Sequence, residues 1–117
     1  MKIIEWKPIE FMSSAYKTEQ FKDFTRDMRR HIKKVFSEIA EVDFNVGHFY
    51  FFVFLKNKKT GKYCYINIGD VRWNLGMGDW YDSVLIRTAK HDKDYTGGGN
   101  NFCKIPELLI NYERLTA

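Results

Sequence analysis

The fold is decided by residues 18–40, TEQFKDFTRDMRRHIKKVFSEIA, which divide apolar and cationic side chains between two faces of one helix. The apolar positions recur every three or four residues, as in an amphipathic helix that buries one face. These positions are Phe21, Phe24, Met28, Ile32, Val35, Phe36 and Ile39. Lys22, Arg26, Arg29 and Lys33 repeat at the same spacing and fall within an arc of about 60°. The sequence therefore predicts a helix from Thr18 to Ala40 that offers a positive surface to an acidic partner.

Size and composition predict that residues 1–117 form a single domain. The chain is 44% hydrophobic and 29% charged, as in ordinary globular proteins. Its 10 Phe, 7 Tyr and 3 Trp exceed what a small core requires, so either the core is built from large residues or some rings lie at a contact surface. A homodimer whose interface buries these rings is a further alternative. The net charge of +4 favours nucleic acid, an acidic protein surface or anionic lipid as a partner.

Nothing in the sequence indicates a membrane span or a secretion signal. No apolar run approaches the roughly 20 residues that a span needs. The first residues mix Lys2, Glu5 and Lys7 with apolar side chains, unlike a signal peptide. Cys64 and Cys103 have no C-x-x-C spacing, so we expect both to be reduced thiols. These features predict a cytoplasmic protein that does not enter a membrane.

Aromatic and β-branched runs predict the strands. We expect a short edge strand in residues 1–12, which Pro8 interrupts or ends. A central strand from His48 to Lys56, a turn at residues 57–61 and a return strand from Lys62 to Gly69 form a hairpin. Another strand is expected from Ser83 to Lys90. Asp43 to Gly47 is expected to end the long helix and turn the chain, while residues 70–82 and 91–101 form loops and Pro106 to Leu115 a closing helix.

The alternation in the return strand assigns its two faces. Cys64, Ile66 and Ile68 should face the helix, and Tyr63 and Tyr65 the other side of the sheet. That second face would also carry Tyr50 or Phe51 and Arg87. The fold class predicted is α+β: an antiparallel sheet of three to four strands, with one long amphipathic helix packed on a face and a short C-terminal helix.

Two groups of residues are candidates for binding. The helix offers Lys22, Arg26, Arg29, Arg30 and Lys33, which are suited to contacts with phosphate or carboxylate. The loop offers Arg87, Lys90, His91 and Tyr95, beside Gly97, Gly98 and Gly99, whose backbone amides can converge on an anion. The glycines match neither a Walker loop nor a dinucleotide-binding turn. A solvated helix face and a flexible turn-rich loop are the ordinary alternatives.

Catalytic and metal-binding patterns are weak. His31, His48 and His91 lie far apart, with no carboxylate or cysteine at metal-ligand spacing. Cys103 with His91 and Asp92 or Asp94 could form a thiol site, and nothing local favours an ionised thiol. We therefore predict a non-catalytic protein with no metal and no cofactor, and keep a small thiol enzyme on the His91–Cys103 loop as an alternative.

These observations lead to a hypothesis of function. A compact, basic chain without catalytic motifs is similar in size and style to accessory proteins of phages and plasmids, including inhibitors of host defence nucleases such as CRISPR effectors. The resemblance implies a cytoplasmic, anti-CRISPR-like binding protein whose partner is a ribonucleoprotein or another nucleic-acid-handling complex. A second hypothesis is direct binding of single-stranded DNA or RNA, with the tyrosines stacking on bases and the helix contacting phosphate.

Overall fold

A computed structural model describes residues 18–47, 51–68, 84–94 and 98–117. The strand expected within residues 1–12 and the loop expected at 70–82 lie outside these ranges, as do Tyr50 and Tyr95. The described residues form a helix, five strands and a second helix. In chain order these are α1 (Thr18–Phe36), β1 (Ala40–Val46), β2 (Phe51–Asn57), β3 (Tyr63–Ile68), β4 (Val84–Ala89), β5 (Asn101–Cys103), a short 3-10 helix (Ile105–Glu107) and α2 (Leu108–Leu115).

The strands pair with their neighbours in chain order, β1-β2-β3-β4-β5, and every pair is antiparallel. The α+β class, the antiparallel sheet and the short C-terminal helix are therefore confirmed. The strand number is not, because the sheet formed by the described residues already has five strands instead of three to four.

The first of the two unexpected strands, β1, replaces the predicted end of the helix. Helix α1 ends at Phe36, and a turn follows in which the Ile39 N–H donates to the Phe36 carbonyl (3.0 Å). Residues 40–46 alternate apolar and polar side chains with a period of two, which is a strand pattern. Ile39 and Ala40 are apolar and continue the stripe beyond the end of the helix. The change from the helical period to the strand period is therefore not visible in the sequence. The turn predicted at Asp43 to Gly47 was thus wrong, because Asp43 lies inside β1.

The second unexpected strand, β5, has only three residues, and its register places Cys103 opposite Val84. Three residues are too few for a periodic pattern to show in the sequence. Strand β5 therefore begins at Asn101, the last residue of the predicted loop, and continues through residues 102–103, for which the sequence predicted no element.

The hairpin between β2 and β3 forms as predicted. Gly61 has a φ of 76°, the left-handed conformation that glycine adopts without strain. The side-chain oxygen of Asn57 accepts hydrogen bonds from the N–H groups of Lys59 (2.8 Å) and Thr60 (3.2 Å). Asn57 therefore fixes the turn in the way that Asx turns do.

The core lies between one face of the sheet and the two helices. Phe36 of α1 meets Tyr112 of α2 edge to face, with ring centroids 5.0 Å apart. Cys64 and Ile66 belong to this core, as the alternation predicted. Phe51 also belongs to it, which corrects its assignment as an alternative on the opposite face. The buried members are Met28, Ile32, Phe36, Ala40, Phe51, Val53, Leu55, Cys64, Ile66, Val84, Ile86, Cys103, Ile105, Leu108 and Tyr112.

The second face of the sheet carries a smaller aromatic cluster. Phe54 and Tyr65 are neighbours in register on β2 and β3, with ring centroids 5.0 Å apart. Phe52 lies edge-on to Phe54 at 6.1 Å. Phe54 is 2% exposed and Tyr65 7%, so the centre of this face is buried. The aromatic face exists as expected, and its two central rings are covered.

Gly98 packs against β4, which leads to a prediction about stability. A Cβ added at Gly98 would stand 2.1 Å from Oγ1 of Thr88, whereas one added at Gly99 would meet nothing within 4 Å. We expect Gly98→Ala to lower the free energy of unfolding by about 1–2 kcal/mol, as overpacked substitutions do. Gly99→Ala should change it by less than about 0.5 kcal/mol. Urea denaturation of both variants measures the difference, and equal stabilities would show that the loop does not pack here.

Candidate functional site

The rotation of α1 about its axis is set by three side chains. Met28, Ile32 and Phe36 are fully buried against the sheet. Because successive residues turn by about 100°, the residues beside this stripe must face outward. Five exposed cations lie there and form what we call the cation surface: Lys22, Arg26, Arg29, Arg30 and Lys33. The structure therefore brings together all five helix residues that the sequence singled out.

Four of the five line one cavity. A depression of about 270 Å³, which we call the cation cavity, lies between α1 and the end of β1. Its lining residues are Lys22, Thr25, Arg26, Arg29, Arg30 and Val46. The participation of Val46 depends on β1, the strand that the sequence did not predict. The charges could be predicted from the sequence, and only the fold shows that they surround a concave site.

The charges around the cavity are only partly compensated. Arg26 lies 3.3 Å from a carboxylate oxygen of Asp23 and 3.3 Å from one of Asp27. Asp27 therefore pairs with Arg26 and not with Arg30, as the i,i+3 spacing would also have allowed. The guanidinium of Arg29 lies over the ring of Phe44, 5.1 Å from its centroid. Among the described residues, no carboxylate forms an ion pair with Arg29 or Arg30. The cavity keeps a net positive charge.

Thr25 lines the cation cavity together with these cations. It is 8% exposed, and within the described part of the chain its hydroxyl oxygen is buried without a hydrogen-bond partner. A buried hydroxyl without a partner costs about 1–3 kcal/mol. The sequence offered no sign of this, because a threonine in a helix is ordinarily satisfied by a carbonyl one turn earlier.

The loop candidates lie elsewhere and have different surroundings. Arg87 is 4% exposed, and its guanidinium lies 4.1 Å from the centroid of the Tyr65 ring. Its Nη2 donates to the carbonyl of Asp94 (3.1 Å), and the Asp94 carboxylate accepts from the N–H of Lys90 (2.8 Å). Arg87 therefore holds residues 90–94 against the sheet. Its alternation with Ile86 on β4 placed it correctly on the second face, but the sequence did not show that it is buried.

The exposed loop residues do not join the cation surface. Lys90 and His91 are exposed, and the His91 ring contacts the carbonyl of Asp92 (2.7 Å). Asp92 lines a cavity with Glu41, whereas the cation cavity includes Val46 at the other end of β1. Five strand residues span about 17 Å. The helix and loop candidates thus form two separate surfaces, on opposite faces of the sheet.

The cavity beside Asp92, of about 210 Å³, has mixed charge. Glu41, Asp43 and Asp92 supply carboxylates, and Lys56 lies 3.9 Å from a carboxylate oxygen of Glu41. Over the described ranges, no group of histidines, cysteines and carboxylates is arranged to hold a metal ion.

His31 lies at the border of the core. Burial, together with the nearby charge of Lys34, lowers the pKa of its imidazole below the ordinary value. At neutral pH the ring is therefore uncharged and adds nothing to the cation surface. His48 lies outside the described residues.

The two cysteines have raised pKa values. Burial raises the pKa of Cys64 to about 12 and that of Cys103 to about 11. The nearby charge of Glu107 adds to the shift at Cys103. A thiol nucleophile needs the opposite shift, toward the thiolate at neutral pH.

The thiols predict how stability depends on pH. Because folding raises both pKa values, the unfolded chain releases these protons first, above about pH 9. The contribution of the thiols to the free energy of unfolding should therefore be constant up to about pH 9 and fall as the pH rises toward 11 and 12. Urea denaturation at pH 8 and pH 10 tests this, with Cys64→Ala/Cys103→Ala as the control in which stability should fall less. Tyr112, whose pKa burial also raises, leaves a residual fall in that control. An equally steep fall in the control would show that the thiols are not responsible.

In the described residues no helix is long and apolar enough to cross a membrane. Compared with known proteins, the chain matches no family model, no curated protein and no solved structure at a significant level. The fold and site define an α+β domain with a concave cationic surface, and its function has to be inferred from that surface.

Proposed function

We propose that this chain is a small, non-catalytic, cytoplasmic binding protein that docks through its cation surface on a nucleic-acid-handling complex. The observation that carries the proposal is the cation cavity, where Lys22, Arg26, Arg29 and Arg30 converge beside Val46. A concave site that excludes part of the solvent strengthens the attraction between these cations and an anionic partner. Inhibition of a host defence nuclease, as by a phage or plasmid accessory protein, is the role that such docking suits.

The second hypothesis, stacking of single-stranded nucleic acid on the sheet, has less support. It relies on Tyr63 and Tyr65, but Arg87 lies over the ring of Tyr65 and only 7% of that residue is exposed. Tyr63 is half-buried, and the ammonium of Lys56 lies 5.8 Å from its ring centroid. A stacking platform needs open ring faces. The helix is therefore the better candidate for the contact.

A thiol enzyme has the least support. Cys103 is 6% exposed, and burial raises its pKa to about 11, so the thiolate is scarce at neutral pH. His91 is exposed and its ring contacts Asp92. No described contact joins His91 to the thiol.

Affinity capture tests the proposal. The tagged chain is used to capture partners from a lysate of cells that contain the nuclease system, with and without added nuclease. We expect one multi-component nucleoprotein to be enriched, and its cleavage activity to fall as the chain is added in stoichiometric amounts. Enrichment of an unrelated metabolic enzyme, or cleavage that is unaffected by saturating chain, would contradict the proposal.

A further inference from the structure

Resting on the proposed function, we infer that the cation cavity binds a backbone phosphate of a single nucleic-acid strand and that Thr25 donates a hydrogen bond to it. The ligand chemistry is a phosphodiester, and its source is the strand carried by the partner complex. The inference thus assigns one anionic group to one place on the cation surface and gives Thr25 a role.

Thr25 provides the first reason. Its side chain lines the cavity, and its hydroxyl is buried without a partner in the described structure. A threonine in a helix has two accessible rotamers, so a rotation about χ1 can turn the hydroxyl toward an anion in the cavity. Binding of such an anion would satisfy a group that the free protein leaves unsatisfied.

The charge of the cavity provides the second reason. Arg26 shares its donors with Asp23 and Asp27, while Arg29 and Arg30 have no carboxylate partner among the described residues. Guanidinium and hydroxyl groups are common donors to phosphate oxygens in complexes with nucleic acids. The four oxygens of a phosphodiester surround a tetrahedral phosphorus and can be approached from several directions, whereas the two oxygens of a carboxylate lie in one plane, so donors that converge from several sides suit the phosphodiester better.

The spacing along α1 provides the third reason. Lys33 follows Arg29 by four residues, about 6 Å further along the helix axis, and lies outside the cavity. The cavity binds one phosphate, and Lys33 is placed to contact the next phosphate of an extended strand. A strand is therefore preferred to a free phosphate ion.

The experiment measures binding of a fluorescein-labelled 12-nucleotide oligodeoxythymidine by anisotropy, between 50 and 200 mM NaCl. We expect Thr25→Val to weaken binding about five- to tenfold at every salt concentration, because one hydrogen bond to a charged group is lost. Arg30→Gln should weaken binding and also reduce the slope of log K against log[salt] by about 0.7, the value for one released counterion on a single strand. Thr25→Ser, which keeps the hydroxyl, should bind within about twofold of the parent.

Thermal unfolding of the same variants separates binding from structure. Valine has the shape of threonine without the hydroxyl, so Thr25→Val should melt at the same temperature as the parent or a higher one. A merely structural role for the hydroxyl would instead lower the melting temperature. Weaker binding with unchanged or raised stability is the combination that the inference requires.

Two further probes identify the source of the phosphate. Inorganic phosphate should compete only at millimolar concentration, and a methylphosphonate oligothymidine, which lacks the backbone charges, should not bind. Equal binding by the methylphosphonate probe, or by Thr25→Val and the parent, would overturn the inference. If a captured complex depends on the cation surface but resists nuclease, and the oligonucleotide does not bind, only this inference fails. If no complex depends on the cation surface, the proposed function fails as well.

Discussion

Replacing Arg26 and Arg30 with Gln will weaken binding to the captured complex about 100-fold. Both side chains line the cation cavity, and each is expected to make one charge-assisted contact worth about 1.5 kcal/mol. Two such losses correspond to a factor of about 100. Gln keeps the helix propensity close to that of Arg. The ion pairs of Arg26 with Asp23 and Asp27 are exposed or half-buried, so their loss should cost only a few tenths of a kcal/mol.

The matched control removes the same number of charges from another place. Lys58 and Lys59 are exposed in the turn between β2 and β3, and Lys58 Nζ donates to the Ser37 carbonyl at the far end of α1 (2.9 Å). Lys58→Gln/Lys59→Gln has the same net charge as the helix double variant. Biolayer interferometry with the immobilised chain measures both affinities. Equal losses in the two variants would mean that net charge alone, and not the cation surface, controls binding.

Replacing Arg87 with Met will lower the free energy of unfolding by about 3 kcal/mol and leave binding unchanged. The guanidinium lies over the Tyr65 ring and donates to the carbonyl of Asp94, and both contacts are buried. Loss of the cation–π contact and of a buried hydrogen bond accounts for this magnitude. Methionine fills part of the space but cannot satisfy the Asp94 carbonyl.

Lys90→Met is the control for this variant. Its exposed side chain carries the same formal charge, and its backbone N–H keeps the hydrogen bond to Asp94. We expect it to change stability by less than about 0.5 kcal/mol. Urea denaturation and the binding measurement are made on both variants. Arg87→Met that is as stable as the parent but fails to bind would restore Arg87 as a contact residue.

The positions of Arg26 and Arg30 could be predicted from the sequence, whereas the burial of Arg87 could not. The period of α1 was sufficient to place Arg26 and Arg30 on one exposed side, because burial of the apolar stripe sets the rotation of a helix. The alternation in β3 was sufficient to separate Cys64 from Tyr65, because a strand has only two faces. Patterns with a fixed period are visible in a single sequence.

The features that could not be predicted from the sequence depend on contacts between segments that are distant along the chain. Arginine is ordinarily a surface residue. Arg87 is buried because residues 90–94 pack back against the sheet, which only the structure shows. The cation cavity needs Val46, which reaches α1 through the pairing of β1 with β2. The partnerless hydroxyl of Thr25 is likewise a property of its three-dimensional surroundings. No local pattern records any of these.

Site-specific photo-crosslinking tests most directly whether the cation surface is the contact. Benzoylphenylalanine placed at Lys33, which lies on this surface outside the cation cavity, is compared with the same group at Lys59 in the turn between β2 and β3. The account predicts that, on irradiation of the captured complex, position 33 crosslinks to one of its components and position 59 does not. Crosslinking from position 59 with none from position 33 would contradict it.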